Sequence, residues 1–412
     1  MKIRQIRVDG YKNLINCKVD LGDFNVLVGP NNSGKSNLLE AMQIIWPICF
    51  GDEKLRKAVL GGVTPRFTAD SSLCHLEKYK NKRMTVGIVL EAPIDGTTWI
   101  VDYEVMIQCG ESENNDRGFV SEKLTAKIPG TPGRAAAYIA REGTELRVQD
   151  KTHTISTQNS SFLAVSVLYP DSKGLPPELA AFIETIRVAI AVPIFALSPS
   201  QLREDIDTDK AMDHIRVSSF GLLSALDAIQ QEGKYFSQLE ESICDILDLE
   251  HIIFRVEVKT PPGSIKDAKG AAKRIRYLLL KRPGDSYSLV EEYSDGTLVV
   301  MAVLEALFAG ADTRPLLCLE ELENCLHPAA VEKLLRLLRD HADQWPVLIT
   351  THSPYVLNGV SPEDVHVAVV DETGATHFEK VKNSKQLRDY LNRNLMSFGD
   401  LLIKHFEGFR EE

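Results

Sequence analysis

The stretch Phe24-Asn25-Val26-Leu27-Val28-Gly29-Pro30-Asn31-Asn32-Ser33-Gly34-Lys35-Ser36, followed by Asn37 to Ile45, decides how this chain is read. Phe24 to Val28 reads as a buried strand, and Leu38, Leu39, Met42 and Ile45 fall on one face of a helix. Between them lies G-x-x-x-x-G-K-S. Glycines at its two fixed positions let backbone N–H groups curl around phosphate oxygens, Lys35 can reach β and γ phosphates, and Ser36 offers a hydroxyl to Mg2+. The helix start adds its own unpaired N–H groups and dipole. Four matching positions coincide by chance roughly one or two times in a hundred in a chain of this size. A plain glycine-rich turn would explain neither the Lys-Ser pair nor the helix start. Pro47 is expected to end the helix.

At 412 residues, with 44% hydrophobic and 25% charged, the chain can bury a substantial core as one large or two moderate domains. No apolar run approaches a membrane span, and Met1-Lys2-Ile3-Arg4 leads directly into an alternating strand. A cytoplasmic protein without a membrane partner is expected. The seven cysteines are scattered and lack C-x-x-C spacing, which favours reduced thiols over disulfides or a zinc site. A net charge of -11 argues against general affinity for nucleic acid. The one basic concentration, residues 259–282, gathers Lys266, Lys269, Lys273, Arg274, Arg276, Lys281 and Arg282 around Asp267. It reads either as a nucleic-acid patch or as a solvated hairpin and loop.

A second chemical half lies nearly three hundred residues later. Pro315-Leu316-Leu317-Cys318-Leu319-Glu320-Glu321 is a short apolar run ending in two carboxylates, as expected of a buried strand that delivers acids to a metal and a water. Mg2+ needs only one or two carboxylates beside phosphate oxygens, which suits Glu320 as a ligand of the ion or of its bound water, with Glu321 polarising the attacking water. After a helical stretch from about Ala329 to Asp343, Val347-Leu348-Ile349-Thr350 forms another apolar strand that runs into Thr351-His352-Ser353-Pro354. His352 thus stands at a strand's C-terminal end, where open α/β sheets place their ligands. Tyr293-Ser294-Asp295-Gly296-Thr297 precedes the apolar helix Leu298 to Leu307 and could hold an anion on its free N–H groups. By itself it is also an ordinary helix cap.

Taken in order, GPNNSGKS, SDGT, LLCLEELENCLHP and ITTHSP resemble the ATP-binding-cassette ATPases, and more narrowly the RecF, SMC and overcoming-lysogenization-defect branch. The strand and F-K-N-like turn typical of that branch correspond to Tyr11-Lys12-Asn13-Leu14. The resemblance covers residues 1–50 and 290–360 well and the middle loosely. It implies an α/β P-loop NTPase fold with a mixed sheet, an antiparallel β subdomain and a helical subdomain. Gly29, Asn31, Asn32, Ser33, Gly34, Lys35 and Ser36 become the Walker A loop, with Asn37 counted among the nucleotide contacts. Ser36 and Glu320 become the Mg2+ ligands, Glu321 the catalytic base and His352 the switch histidine. Ser294 to Thr297 become the signature loop, with Ser294 and Gly296 as its nucleotide contacts, Leu326-His327-Pro328 the D-loop, and Gln201 the nearest match to a Q-loop. Leu322 departs from the family, which places proline after the glutamate pair, and the signature loop lacks the glutamine of transporter versions.

The resemblance further implies ATP and Mg2+ as cofactors and a head-to-tail homodimer, or a higher oligomer, with two nucleotides held between subunits. A nucleotide-binding lobe at 1–200, a helical and β insert at 201–290 and a second lobe at 291–412 are expected. Strands are expected over Met84 to Leu90, Thr98 to Ile107 and Val120 to Ile128, helices between Ser218 and Leu249, and a hairpin over Val365 to Phe378. No segment sustains the heptads of a long coiled-coil arm. The 60 residues after His352 are too short for an appended nuclease domain, so an effector protein, a nuclease or toxin, is the expected partner, as in prokaryotic defence or toxin-antitoxin pairs. The alternative is a DNA-maintenance ATPase that clamps nucleic acid directly. A transporter subunit fits the long middle segment poorly.

Overall fold

All five residues of the strand Phe24–Val28 are buried, and a strand covered on both faces belongs inside a parallel sheet. In the computed structural model it lies there. A six-stranded sheet runs in the order Ile194–Ala196, Leu317–Glu320, Val347–Thr351, Phe24–Val28, Val365–Val370 and Thr376–Lys380. The first five are mutually parallel and the last is antiparallel. The structure describes residues 1–51, 63–64, 67–68, 83–108, 118–132, 135–142, 145–149, 151–154, 176–191, 194–196, 222–259, 273–308, 314–382, 385–394 and 396–402.

Side chains of a strand alternate between faces, and here the two faces feed two separate cores. Leu27, Cys318, Leu348 and Ala368 point into one. Val26, Val28, Leu317, Leu319, Val347, Ile349 and Val367 point into the other. The first core is closed by the helix Lys35–Phe50, the helix Pro177–Ala189 and an eight-stranded antiparallel sheet. That sheet contains the expected strands as Arg83–Ile94, Thr97–Gln108 and Gly118–Lys127, joined to Lys2–Asp9 and Cys17–Asp20 at one edge. The second core is closed by the helices Leu222–Glu232, Phe236–Leu247, Asp295–Phe308 and Pro328–Asp340. Each fully buried aliphatic side chain in these layers contributes about 1.5–3 kcal/mol relative to exposure. Among the described residues no helix is long and apolar enough to cross a membrane.

Pro47 does not end the first helix, which runs Lys35–Phe50 with Pro47 inside it. Proline there removes one backbone hydrogen bond in the last turn. Pro47, Ile48 and Cys49 are buried together, and the Gly51 N–H donates to the Pro47 carbonyl at 3.0 Å. Packing of that turn outweighs the lost bond. At the two ends of the basic stretch His251–Lys259 pairs antiparallel with Lys273–Lys281, and residues 260–272 between them lie outside the described residues. Lys266 and Lys269 lie outside the described residues, Lys281 pairs with Glu250 at 2.8 Å, and Arg282 stacks over Tyr293.

Helix Asp295–Phe308 is buried at every position from Thr297 to Phe308, and Glu305 is carried inward with it, its Oε1 without a partner. Burial pushes its carboxyl up to about 8, against the opposing pull of Arg314. The folded chain therefore keeps a proton that the unfolded chain releases near 4.5. That contribution is full below the unfolded value and is lost as pH rises towards about 8, in total on the order of 5 kcal/mol. His366 works in the opposite sense. Its imidazole is lowered to about 4 by burial and by Lys380, so its contribution is lost as pH falls from 6.5. Comparing Glu305→Gln with the parent chain isolates the first effect. The variant is expected to flatten the decline in unfolding free energy between about pH 5 and 8, and an unchanged slope in denaturant titrations would mean that the carboxyl is ionised when folded.

Candidate functional site

Because Phe24–Val28 is central, its C-terminal end opens onto the ends of its two neighbours, and the phosphate-binding turn begins there. Asn32 and Gly34 take positive φ values of 66° and 90°, which turns the backbone inward before the helix begins at Lys35. At Gly29 a Cβ would stand 2.7 Å from Ser33 Oγ and 2.9 Å from Ala368 Cβ, so only hydrogen fits. At Gly34 it would stand 2.9 Å from Thr376 Oγ1 and 3.0 Å from Asn13 Oδ1. Ser33 Oγ is buried and has no hydrogen-bond partner. Asn31, Asn32 and Ser36 are exposed. Asn37 donates its side-chain amide to Asn13 Oδ1 at 2.7 Å, and Asn13 donates to Thr376 Oγ1 at 2.8 Å. These bonds form a polar floor under the turn.

Lys35 is only 8% exposed. Its ammonium donates to the carbonyls of Gly29, at 2.7 Å, and Pro30, at 3.0 Å. Burial lowers its pKa, opposed by the negative charges of Glu321, Glu323 and Glu320. The lysine therefore sits in the field of three carboxylates supplied from nearly three hundred residues away.

The strand Leu317–Glu320 pairs in register with Val347–Thr351, placing Glu320 beside Thr350. Ser36 Oγ donates directly to Glu320 Oε1, which joins the hydroxyl and the acid expected to share Mg2+. The next residue turns sharply: Glu321 adopts φ 51°, a left-handed conformation costing a non-glycine residue of order 1–3 kcal/mol. Its N–H is held by the carbonyl and hydroxyl of Thr350 at 3.0 and 3.1 Å, and its Oε2 accepts from Asn324 Nδ2 at 2.8 Å. Proline restricts the residue before it. Leu322 lifts that restriction from Glu321 and buries its own side chain completely in the helical core.

His352 Nδ1 lies 3.5 Å from Glu323 Oε1 and 3.9 Å from Glu321 Oε1. Glu323 was not legible as a site residue from spacing, since an acid two positions after a glutamate pair is common on helix surfaces. Its Oε1 accepts from Thr351 Oγ1 at 2.8 Å and from the His352 N–H at 3.0 Å. Ser294 caps helix Asp295–Phe308, its carbonyl accepting from the Thr297 N–H at 3.0 Å. A Cβ on Gly296 would meet the Cys325 carbonyl at 2.6 Å, so the serine-glycine loop packs on the turn that follows the acids. Among the described residues neither Ser294 nor Gly296 hydrogen-bonds to the P-loop of its own chain. His327 caps helix Pro328–Asp340, its Nδ1 accepting from the Ala329 N–H at 3.3 Å. Gln201 lies outside the described residues.

Two protein families match consecutive parts of the chain. One described as "AAA ATPase domain" matches residues 1–201, and one described as "AAA domain, putative AbiEii toxin, Type IV TA system" matches residues 199–358. No curated protein matches. Solved structures similar to the chain include the SMC head domain from Thermotoga maritima, 12% identical with a TM-score of 0.42 over 93% of this chain and 100% of that one. They also include an SmcHead bound to the C-winged helix domain of ScpA, 15% identical with a TM-score of 0.47 over 94% of this chain and 100% of that one. An Smc head domain with an extended coiled coil, bound to the C-terminal domain of ScpA derived from Pyrococcus furiosus, is 12% identical with a TM-score of 0.43 over 95% and 99% of the respective chains. With two AAA families together matching residues 1–358 of a P-loop NTPase fold, the chain belongs to the AAA-type ATPases.

Proposed function

We propose that this chain binds ATP with Mg2+ and hydrolyses it, that two copies close head to tail around the nucleotides, and that this closure controls an effector protein in the cytoplasm. The observation that carries the reading is the direct bond between Ser36 and Glu320, with Lys35 in the combined field of Glu320, Glu321 and Glu323. Elements separated by 284 positions meet only because the sheet order places them together.

The residues present fit both groups. Lys35, held for now by two backbone carbonyls, and the narrow glycine cradle offer a cation and inward-turned N–H groups to a triphosphate, and Ser33 Oγ is a buried polar atom awaiting a partner. Ser36 and Glu320 supply a hydroxyl and a carboxylate, the hard oxygen donors Mg2+ takes alongside phosphate oxygens. When bound, the ion neutralises charge on the transferring phosphoryl group. Glu321, fixed by Thr350 and Asn324, accepts the proton of the attacking water. His352 helps to hold the attacking water, accepting from it on the ring nitrogen turned away from the carboxylates. Phosphoryl transfer of this kind is mostly positioning and charge stabilisation.

One P-loop leaves one side of the γ-phosphate open, and the exposed Ser294 at a helix N-terminus is suited to close that side from a second copy. The closure then exists only with triphosphate present, which makes it a switch. The toxin-antitoxin wording attached to the family matching residues 199–358 supports an effector of the defence or toxin type. The net charge of -11 weighs against direct clamping of nucleic acid.

Ser294→Arg tests the arrangement. The bulky cation should block closure between copies while leaving nucleotide affinity of the single chain nearly unchanged, because among the described residues Ser294 makes no hydrogen bond to its own P-loop. Light scattering with and without ATP reads the result. An ATP-dependent doubling of mass that survives the substitution would refute the sandwich.

A further inference from the structure

Glu323 stands in the turn between the acid-bearing strand and helix Pro328–Asp340, with a side chain only 12% exposed. One of its oxygens is fully used and the other is not. Oε1 receives the Thr351 hydroxyl and the His352 N–H, whereas Oε2 is buried without any partner. Thr351 is itself fully buried, and its Oγ1 also receives the Ser353 N–H at 3.0 Å. The carboxylate therefore clamps the whole turn Thr351-His352-Ser353 to the acid-bearing segment. It also faces the imidazole of the same turn. Nδ1 is the ring nitrogen directed at the carboxylates, 3.5 Å from Glu323 and 3.9 Å from Glu321, which leaves Nε2 as the nitrogen available to substrate.

A carboxylate beside one imidazole nitrogen fixes which nitrogen carries the proton, and outer partners of this kind typically hold the ring's orientation as well. Distances of this size commonly tighten when a site closes on its substrate. The spare acceptor Oε2 gives Glu323 capacity for a further donor without releasing Thr351 or the His352 N–H. Glu321 is the poorer candidate, being the more distant and having Oε2 engaged by Asn324.

We propose that Glu323 is a positioning residue for His352, setting both the path of the switch turn and the imidazole tautomer with its proton on Nδ1. The proposal rests on the ATPase reading for its catalytic consequence, but its structural half stands without it. The expected kinetic signature of Glu323→Gln is a 10–100-fold fall in kcat, the usual cost of losing an outer partner, with KM for ATP changed less than about threefold.

The test uses the full chain labelled with 15N in its histidine rings, with the His352 signals identified by their loss in His352→Ala. In the parent chain near neutral pH the spectrum should show a protonated Nδ1 and an acceptor Nε2. In Glu323→Gln the populations should shift towards the Nε2-protonated form that dominates in free histidine. Glu323→Asp, which keeps the charge on a shorter stem, serves if the glutamine variant does not fold and should shift the ratio the same way by less. A parental tautomer ratio in either folded variant overturns the proposal, as does a fall in kcat matched by an equal rise in KM. The ring measurement needs no nucleotide. A chain that never hydrolyses ATP but shows the shift would sink the ATPase reading and leave the role of Glu323 standing.

Discussion

Lys35→Ala should lower ATP affinity by at least about a thousandfold, which corresponds to a loss of about 4 kcal/mol. The lysine is a cation on which all three glutamates act, and its ammonium is already desolvated and bound to two carbonyls. Removing it takes away charge-assisted bonds worth about 1.5–3 kcal/mol each. It also leaves Glu320, Glu321 and Glu323 facing an incoming triphosphate with nothing to offset their repulsion. Isothermal titration with ATP and Mg2+ measures the outcome, and a melting curve shows whether the variant is folded. Affinity within tenfold of the parent would mean that the glycine turn is not where triphosphate sits.

Glu321→Gln should do the reverse: nucleotide still binds, the closed dimer accumulates, and turnover slows by about 10^2 to 10^4, or roughly 3–5 kcal/mol of barrier. The geometry makes this an unusually clean substitution. The Glu321 N–H bonds to Thr350 do not involve its side chain, and a glutamine oxygen can still accept from Asn324. The strained turn at φ 51° is thus supported as before, while the group that would take a proton from water is gone. Phosphate release over time gives the rate, and chromatography with ATP gives the dimer. A variant hydrolysing at the parental rate would move the base elsewhere, and Glu323 would be the first place to look.

Much of this was legible beforehand wherever chemistry dictates residue types over a short window. The glycine turn, Lys35 and Ser36 are read locally because phosphate recognition needs those groups in that order, and Glu320 and His352 stand out because each ends an apolar strand. Contacts between remote segments were not legible. Asn13 was read only as part of a turn, yet it bridges Asn37 and Thr376, the latter 363 positions away. Glu323 gains meaning only once Thr351 and His352 are brought beside it by the pairing of Leu317–Glu320 with Val347–Thr351. Pro47 misleads for a related reason. Its local preference ends helices, but burial of Ile48 and Cys49 against the antiparallel sheet is a tertiary fact. The strand Ile194–Ala196 is three residues long, too short for alternation to reveal.

The placement of Phe24–Val28 has a consequence for how the molecule is made. Its two hydrogen-bonding neighbours are Val347–Thr351 and Val365–Val370, so a ribosome delivers both of its partners more than three hundred codons after this strand. At 5–20 residues per second the wait lasts about 15–60 s. Through that interval a five-residue strand, apolar except for Asn25, travels with the nascent chain with unpaired backbone groups, the kind of segment that recruits other strands if left uncovered. Completion of the nucleotide pocket is thereby deferred until both distant partner strands have left the ribosome.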